Sequence, residues 1–492
     1  MAYFSFWAFL LIWPASASTQ VPVKSTKIVA TFGPAIASEK KIQDLVEHGV
    51  NLFRVNCSHG QAEDFKKAVK IIKGGSQSAK YPVGLLFDLG GPKLRLGKYP
   101  EEAEVKKGET IWLYSKPAGN GKVFTVNYPE IISAIKKGEK VYVDDGNLQF
   151  TVVKADKEKV ELRAENSGTF TSGKGINLPD TKIPIPTITE KDKKDLKAAA
   201  ELGADYVGLS FVRTPGDIKE AKELIKKHGG SLRVIAKLEK KEAISNLEEI
   251  INLSDGVMVA RGDLGVELRP EKLPLLQKKI IHLANCYHKP VIVATQMLES
   301  MRLSPRATRA EINDVAGAVF DFADAVMLSA ETATGKYPLE AVKTMSAVIR
   351  EVEKEAAPPK VDLDEHKLES DIPMAIANAI SHSTLRESIK LIFAFTSSGF
   401  TAQLYSNLYP PAPIMAITTD KKVMHRMSLF RSVYAVQGPQ PYSLDDTLKM
   451  VNRLCHQYQL AKPGDCVIIT GGAPFGSLVP TNFFMYYRIE KN

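Results

Sequence analysis

Cysteine is scarce in this chain: four residues among 492, Cys57, Cys286, Cys455 and Cys466, scattered and without a CxxC pair. That spacing excludes a zinc finger or a disulfide framework and suits a reducing compartment, so a cytoplasmic location is expected. Also missing is any Lys/Arg-dense run interleaved with aromatics, although the formal net charge is +9. The surplus therefore reads as a solvated basic surface with a pull on phosphorylated metabolites, and no nucleic-acid partner is expected. No tandem repeat or low-complexity tract stands out. The apolar stretch MAYFSFWAFLLIWPASAS at residues 1–18 is too short for a convincing membrane span and has no Lys or Arg ahead of it. Residues 1–23 are accordingly expected to be a mis-called start or an unstructured extension, with no membrane partner.

What the chain does carry is a succession of eight short apolar segments, nearly all ending in a polar or charged residue. They read KIVATFG, LFRVNCSHG, VGLLFDLGG, YVGLSFV, LRVIAKLE, GVMVARGDLG, PVIVATQ and AVMLSAET. Short runs rich in Val, Ile, Leu and Ala are the pattern of strands buried on both faces of a parallel sheet. Helical stretches of crossover length separate most of them. The fold class predicted is therefore α/β, a TIM (β/α)8 barrel whose strand C-termini form the active face. From about residue 98 to 178 the pattern changes to short alternating strands and Gly-rich turns, which predicts a small inserted all-β lid domain. The two flanking pieces, 24–97 and 179–350, together come close to the roughly 250 residues of such a barrel. A Pro- and acid-rich linker follows, and residues 361–492 predict a C-terminal α/β effector and oligomerisation domain, with strands in KLIFAFT, PIMAITT, SVYAVQG and DCVIITGG.

The strand ends carry the chemistry. Arg54, Asn56 and Ser58 alternate along the second segment, so they project to one side of an extended strand. Lys237 and Glu239 share a face in the same way. The sixth segment ends Arg261-Gly262-Asp263, where a glycine at a strand-to-helix turn frees N–H groups for an anion. The third, seventh and eighth end in Asp88, in Thr295 and Gln296, and in Ser329 and Glu331. Glu239 and Asp263 are oxygen ligands on neighbouring strands, suited to Mg2+ or Mn2+. With Arg54 and Lys237 beside them, the set matches what a transferring phosphoryl group needs, since charge spreads over its equatorial oxygens. Taken strand by strand, the same residues would serve as plain ion pairs, Lys237 with Glu239 and Arg54 with Asp88.

LFRVNCSHG, GLLFDLGGPKLRLG, RVIAKLEKKEAI, SDGVMVARGDLGVEL, VIVATQMLESM and PRATRAEINDVAGAV, in this order and with the insertion after strand three, closely resemble the pyruvate kinase family. The resemblance implies transfer of the phosphoryl group of phosphoenolpyruvate to ADP. It implies that Lys237 stabilises the phosphoryl in flight, that Arg54 holds it, and that Glu239 and Asp263 ligate Mg2+. The N–H groups of Gly262 and Asp263 would cradle the substrate carboxylate, Thr295 would help deliver a proton through ordered water, and Ser329 would stand on the substrate side. Asn56, Ser58, His59 and Arg95 fall at nucleotide-side positions, with Lys197 a weaker candidate. A homotetramer is implied by PRATRAEINDVAGAV.

Two departures from the family pattern modify these expectations. Many members read D-T-K-G-P-E after strand three and bind K+. Here the segment is Asp88-Leu89-Gly90-Gly91-Pro92-Lys93. Asn56, Ser58 and Asp88 remain, Leu89 lacks a hydroxyl, and the Lys93 ammonium stands where those members carry a glutamate, so a K+-independent enzyme is expected. Pro184 replaces an Asp or Asn at the edge of the lid cleft. In the last domain the Ser/Thr-rich turn Thr396, Ser397, Ser398, Gly399, Phe400, Thr401 reads either as an ordinary βα turn or as a phosphate cradle. By resemblance it would hold a sugar-phosphate or nucleotide effector, with Gly471–Ser477 closing over it. Two other functions stay open: a Mg2+-dependent lyase or aldolase of oxo acids, which would not need Lys237, and a non-catalytic metabolite sensor, which would have lost the metal ligands.

Overall fold

The computed structural model describes residues 24–58, 60–98, 102–116, 123–356, 371–476 and 479–490; the extension over residues 1–23 lies outside them. Eight parallel strands close into a barrel: Lys27–Thr31, Leu52–Asn56, Gly84–Asp88, Tyr206–Leu209, Arg233–Leu238, Gly256–Ala260, Val291–Ala294 and Ala325–Leu328. Each pairs with its sequence neighbours, and the first closes on the eighth through Lys27 opposite Ala325. These are the eight segments read from the sequence, called here barrel strands one to eight.

Alternation along these strands decides where the site sits. Inward positions run from apolar to polar: Leu52 then Arg54 then Asn56, Leu86 then Asp88, Ile235 then Lys237. The lower residues Leu52, Leu86, Ile235, Met258 and Ile292 form one buried core with Tyr405, Ile414 and Leu429 of the C-terminal domain. Outward residues such as Phe53, Phe87, Val234 and Val257 bury against the surrounding helices. The barrel is therefore plugged at its floor by the C-terminal domain and polar at its mouth. Capping boxes start the helices Glu190–Glu201, at Thr189 and Asp192, and Arg309–Phe320, at Thr308 and Glu311.

Between barrel strands three and four the chain forms a six-stranded sheet around its own apolar core, with Phe150, Val152, Leu162 and Ile111 buried. The segment KVYVDDGNLQFTVVKA is a hairpin of Lys140–Val143 and Leu148–Ala155. Its turn holds Asp144, Asp145 and Gly146 at φ 56°, 53° and 85°, a left-handed run that short polar residues and glycine tolerate best. Exposed Pro184 lies on the return to the barrel, where the Arg213 guanidinium donates to the carbonyls of Ile183 (2.8 Å) and Ile185 (2.7 Å).

The C-terminal sheet has five strands, Val433–Gln437, Ile414–Thr418, Ile389–Phe395, Cys466–Gly471 and Phe483–Arg488 in spatial order. The last, antiparallel to its neighbour, has no counterpart in the sequence reading. FFMYYR is a half-exposed edge with no clean alternation of apolar and polar residues, so its strand character comes only from pairing.

The joint between barrel and C-terminal domain traps ionisable groups. Asp205, just ahead of barrel strand four, is 6 % exposed and accepts from the Leu85 N–H at 2.8 Å. Burial pushes its carboxyl up to about 7. The folded state therefore holds this proton more tightly than the unfolded chain: the stabilisation is complete below about pH 4 and is lost as pH rises through 7. Asp205→Asn keeps the acceptor and removes the charge. It is expected to leave stability at pH 4 nearly unchanged and to raise it at pH 8 by about 2 kcal/mol, read from urea unfolding at the two pH values.

Candidate active site

The polar mouth of the barrel centres on Lys237. Its ammonium lies 3.0 Å from Asp88 Oδ1 and 2.8 Å from Glu239 Oε1, and donates to Ser210 Oγ at 2.7 Å. Arg54 Nε donates to the other Asp88 oxygen at 2.6 Å, and its Nη1 to Thr31 Oγ1 at 3.2 Å. Both plain ion pairs anticipated from the sequence thus exist, but they are fused through Asp88 into one network at the strand ends. Gly208, opposite Asp88 in barrel strand four, makes room for it: a Cβ there would stand 3.1 Å from Asp88 Oδ1.

Electrostatics fixes the charge state of this network. Burial disfavours the charged form of Lys237, but Asp88 and Glu239 outweigh it and hold the ammonium above the ordinary lysine range. Burial likewise raises Asp88, and the Lys237 and Arg54 charges more than offset that, keeping it an anion. Glu239 is pushed up, by burial first and then by the negative charge of Asp263. Carboxylates at adjacent strand ends are an oxygen donor set suited to a hard divalent cation, so Glu239 and Asp263 fit Mg2+ or Mn2+. No cluster of three or more His, Cys, Asp or Glu suited to a metal occurs among the described residues, so an ion here would draw its remaining oxygens from substrate and water.

Gly262 and Asp263 lie in the short helix Arg261–Glu267. The Gly262 N–H donates to Thr295 Oγ1 at 2.7 Å, which places the strand-six turn against the end of strand seven. Thr295 and Gln296 take φ values of 70° and 56°, an arrangement costly for a β-branched residue and typical of strained functional positions. Arg261 holds it in place, donating to the Thr295 carbonyl at 2.7 Å while paired with Asp314 at 2.5 Å. At the end of strand eight, the Ser329 N–H donates to Glu331 at 2.7 Å.

The remaining expected residues are spread more widely. Asn56 Oδ1 accepts from the Ser58 N–H at 3.1 Å beside the network; His59 lies outside the described residues. Arg95 sits at the root of the insertion, donating to the Gly173 carbonyl at 3.0 Å. Lys197 is exposed and faces Glu201 at 3.8 Å. On that same helix it is Lys191 whose ammonium reaches the end of barrel strand two, donating to the Cys57 carbonyl at 2.6 Å. The Lys93 ammonium lies 3.4 Å from Asp263 Oδ1, in the only ion pair that Asp263 makes among the described residues. Asp88, already neutralised by Arg54 and Lys237, does not draw it.

Sequence reasoning passed over Ser210 and Lys191. Ser210 accepts from Lys237 and donates to the Leu89 carbonyl at 2.7 Å. Its spacing of two from Gly208 was a usable signal, since both fall on the inward face. Lys191 gave none, because its target lies 134 residues away in sequence.

In the C-terminal domain Thr396 and Ser397 line a cavity of about 70 Å3 together with Gly438, Gly471, Gly472 and Gly476. The distal glycine loop therefore faces the Ser/Thr turn, as far as it lies within the described residues, which exclude Ser477. Thr396 Oγ1 accepts from the Gly399 N–H at 3.0 Å and Ser398 Oγ from the Phe400 N–H at 3.3 Å. Thr401 is turned away, its hydroxyl buried 2.7 Å from that of Thr481.

Comparison with known proteins agrees with this geometry. The profile of the pyruvate kinase barrel domain matches residues 23–342, and that of the pyruvate kinase alpha/beta domain residues 374–485. The chain is 39 % identical over 471 residues to a pyruvate kinase of Thermotoga maritima, covering 95 % of this chain and all of that protein. It is 39 % identical over 462 residues to one of Methylorubrum extorquens, covering 93 % and 96 %. The crystal structure of a pyruvate kinase from Cryptosporidium parvum superposes with a TM-score of 0.88 at 31 % identity, over 95 % of this chain and 96 % of that one.

Proposed function

The chain belongs to the pyruvate kinase family, and from that premise we propose that it transfers the phosphoryl group of phosphoenolpyruvate to ADP, yielding pyruvate and ATP. The observation that carries the reading is the Lys237 ammonium, held as a buried cation between Asp88 and Glu239 at the mouth of the barrel. A β-phosphate oxygen of ADP attacks phosphorus, the bond to the enol oxygen breaks, and the enolate takes a proton on its methylene carbon. Lys237 and Arg54 offset the charge spread over the phosphoryl oxygens in transit. Glu239 and Asp263 would hold Mg2+ or Mn2+, which when bound adds positive charge at the same point. The backbone at Gly262 and Asp263 orients the substrate carboxylate, the Gly262 N–H exchanging the Thr295 hydroxyl for it, with Ser329 on the same side. Thr295, in its strained turn, orders the water that delivers the proton. Asn56, Ser58, His59, Arg95 and, more weakly, Lys197 are the residues the family resemblance assigns to nucleotide binding, and the inserted domain closes over the nucleotide to exclude water.

In this reading the enzyme runs without K+, the Lys93 charge standing in for a monovalent cation. The chain assembles as a homotetramer in the cytoplasm, and the cavity behind Thr396 and Ser397 takes a sugar-phosphate or nucleotide effector, with Ser398, Gly399 and Thr401 shaping the turn.

The test is pyruvate formation from phosphoenolpyruvate and ADP with Mg2+, in Na+ and K+ buffers of equal ionic strength. Turnover is expected in both, and removal of divalent ions by EDTA is expected to abolish it, with recovery on adding Mg2+. No turnover under any of these conditions would overturn the proposed reaction; turnover confined to K+ would keep the reaction and refute the role of Lys93.

A further inference from the structure

At the opposite pole of the barrel a cavity of about 250 Å3 opens between the strand N-termini and the C-terminal domain. From the barrel side Arg233, Asp255 and Lys289 face it; from the C-terminal side come Arg426 and the apolar surfaces of Phe400 and Met427. The domains bridge around it. The Tyr206 hydroxyl donates to the Arg426 carbonyl at 2.6 Å, Gln403 donates to the His288 carbonyl, and Arg426 Nη2 donates to Ser231 Oγ at 2.8 Å.

Its charges do not balance. The lining carries three cations against one carboxylate, and Asp255 is already shared by Arg233 and Lys222, each at 3.2 Å, and by the Val234 N–H at 2.8 Å. Lys289 makes no side-chain hydrogen bond or ion pair among the described residues. The Nε of Arg426 is buried without a hydrogen-bond partner. Donors placed at an enclosed surface without acceptors are costly, and the cost falls when an anion enters. Burial lowers the pKa of both groups, Lys289 and Arg426, in the same sense.

We infer that this inter-domain cavity is a binding site for a compact phosphate-bearing metabolite, seated on Lys289, Arg426 and Arg233. An excess of two positive charges matches a phosphate dianion better than a single carboxylate, and guanidinium and ammonium donors are the usual phosphate partners. The volume falls below the roughly 300–1,000 Å3 of pockets for drug-sized ligands, so the occupant is small, its carbon part lying on Phe400 and Met427. The site is separate from the strand-end centre and from the cavity behind Thr396. It shares one loop with the latter: Thr396 and Ser397 face that cavity, whereas Ser398 and Phe400 face this one. The two cavities are thereby joined by five residues of backbone.

The test is calorimetric titration of inorganic phosphate into the full chain at constant ionic strength, comparing wild type with Lys289→Met and Lys289→Arg. Lys289→Met removes an ammonium without hydrogen-bond partners, so folding and basal turnover are expected to persist. Wild type and Lys289→Arg are expected to show a saturable component that Lys289→Met weakens about tenfold or more. A Lys289→Met isotherm equal to that of wild type, or no saturable component in wild type, would overturn the inference.

Discussion

Lys237→Met is expected to lower kcat for pyruvate formation by about three orders of magnitude while the KM for phosphoenolpyruvate changes far less. Lys237 is 8 % exposed, and the partners of its ammonium lie within 3.0 Å. No water replaces it there at equal charge. A cation whose full effect is felt when the phosphoryl is in flight contributes to kcat and to kcat/KM alike, and its loss lowers both together. The same substitution leaves Glu239 buried without its counter-ion and Asp88 with Arg54 alone. Removing one partner of a buried pair costs about 3 kcal/mol or more, so unfolding and activity must be measured on the same preparation. A folded variant retaining a tenth of wild-type turnover would show that the strand-end network is structural and not catalytic. Lys237→Arg is no rescue, because three short contacts around a point charge do not admit a planar fork.

The second large effect concerns the ion requirement. In Na+ buffer Lys93→Glu is expected to fall about a hundredfold below wild type and to recover much of that loss in K+, while wild type differs by less than about twofold between the two salts. The substitution turns a positive charge 3.4 Å from Asp263 Oδ1 into a negative one. That places a third carboxylate beside Glu239 and Asp263, and a further cation becomes the cheapest remedy. Recovery is expected to stay partial, since Leu89 contributes no oxygen; adding Leu89→Thr should complete it. Equal activity of Lys93→Glu in Na+ and K+ would remove Lys93 from the account of ion dependence, whatever the wild-type result.

Much of this site was legible in the chain because alternation is a local property. The spacing of Arg54 from Asn56, and of Lys237 from Glu239, already puts each pair on one face, and a run of eight such strands leaves few ways to bury both faces other than a closed parallel sheet. The resemblance to pyruvate kinases rests on the same segments, and the family matches extend it over nearly the whole chain. Less visible was anything that depends on pairing with a distant partner. The edge strand Phe483–Arg488 exists only because Cys466–Gly471 offers it hydrogen bonds.

The sequence by itself determined the strands, their inward residues and the order of polar groups around the barrel mouth, since period-two alternation needs no knowledge of neighbours. Only the tertiary structure decided the pairings. Closure of the barrel brings Asp88 between Arg54 and Lys237, leaving Asp263 rather than Asp88 to attract Lys93. The same packing supplies Ser210 as a partner for Lys237, and carries Lys191 to the end of strand two while Lys197 faces Glu201. It also leaves three cations facing one carboxylate where two domains meet at the barrel floor. Electrostatic partners are chosen by distance in space and by burial, and neither is fixed until the chain has closed on itself.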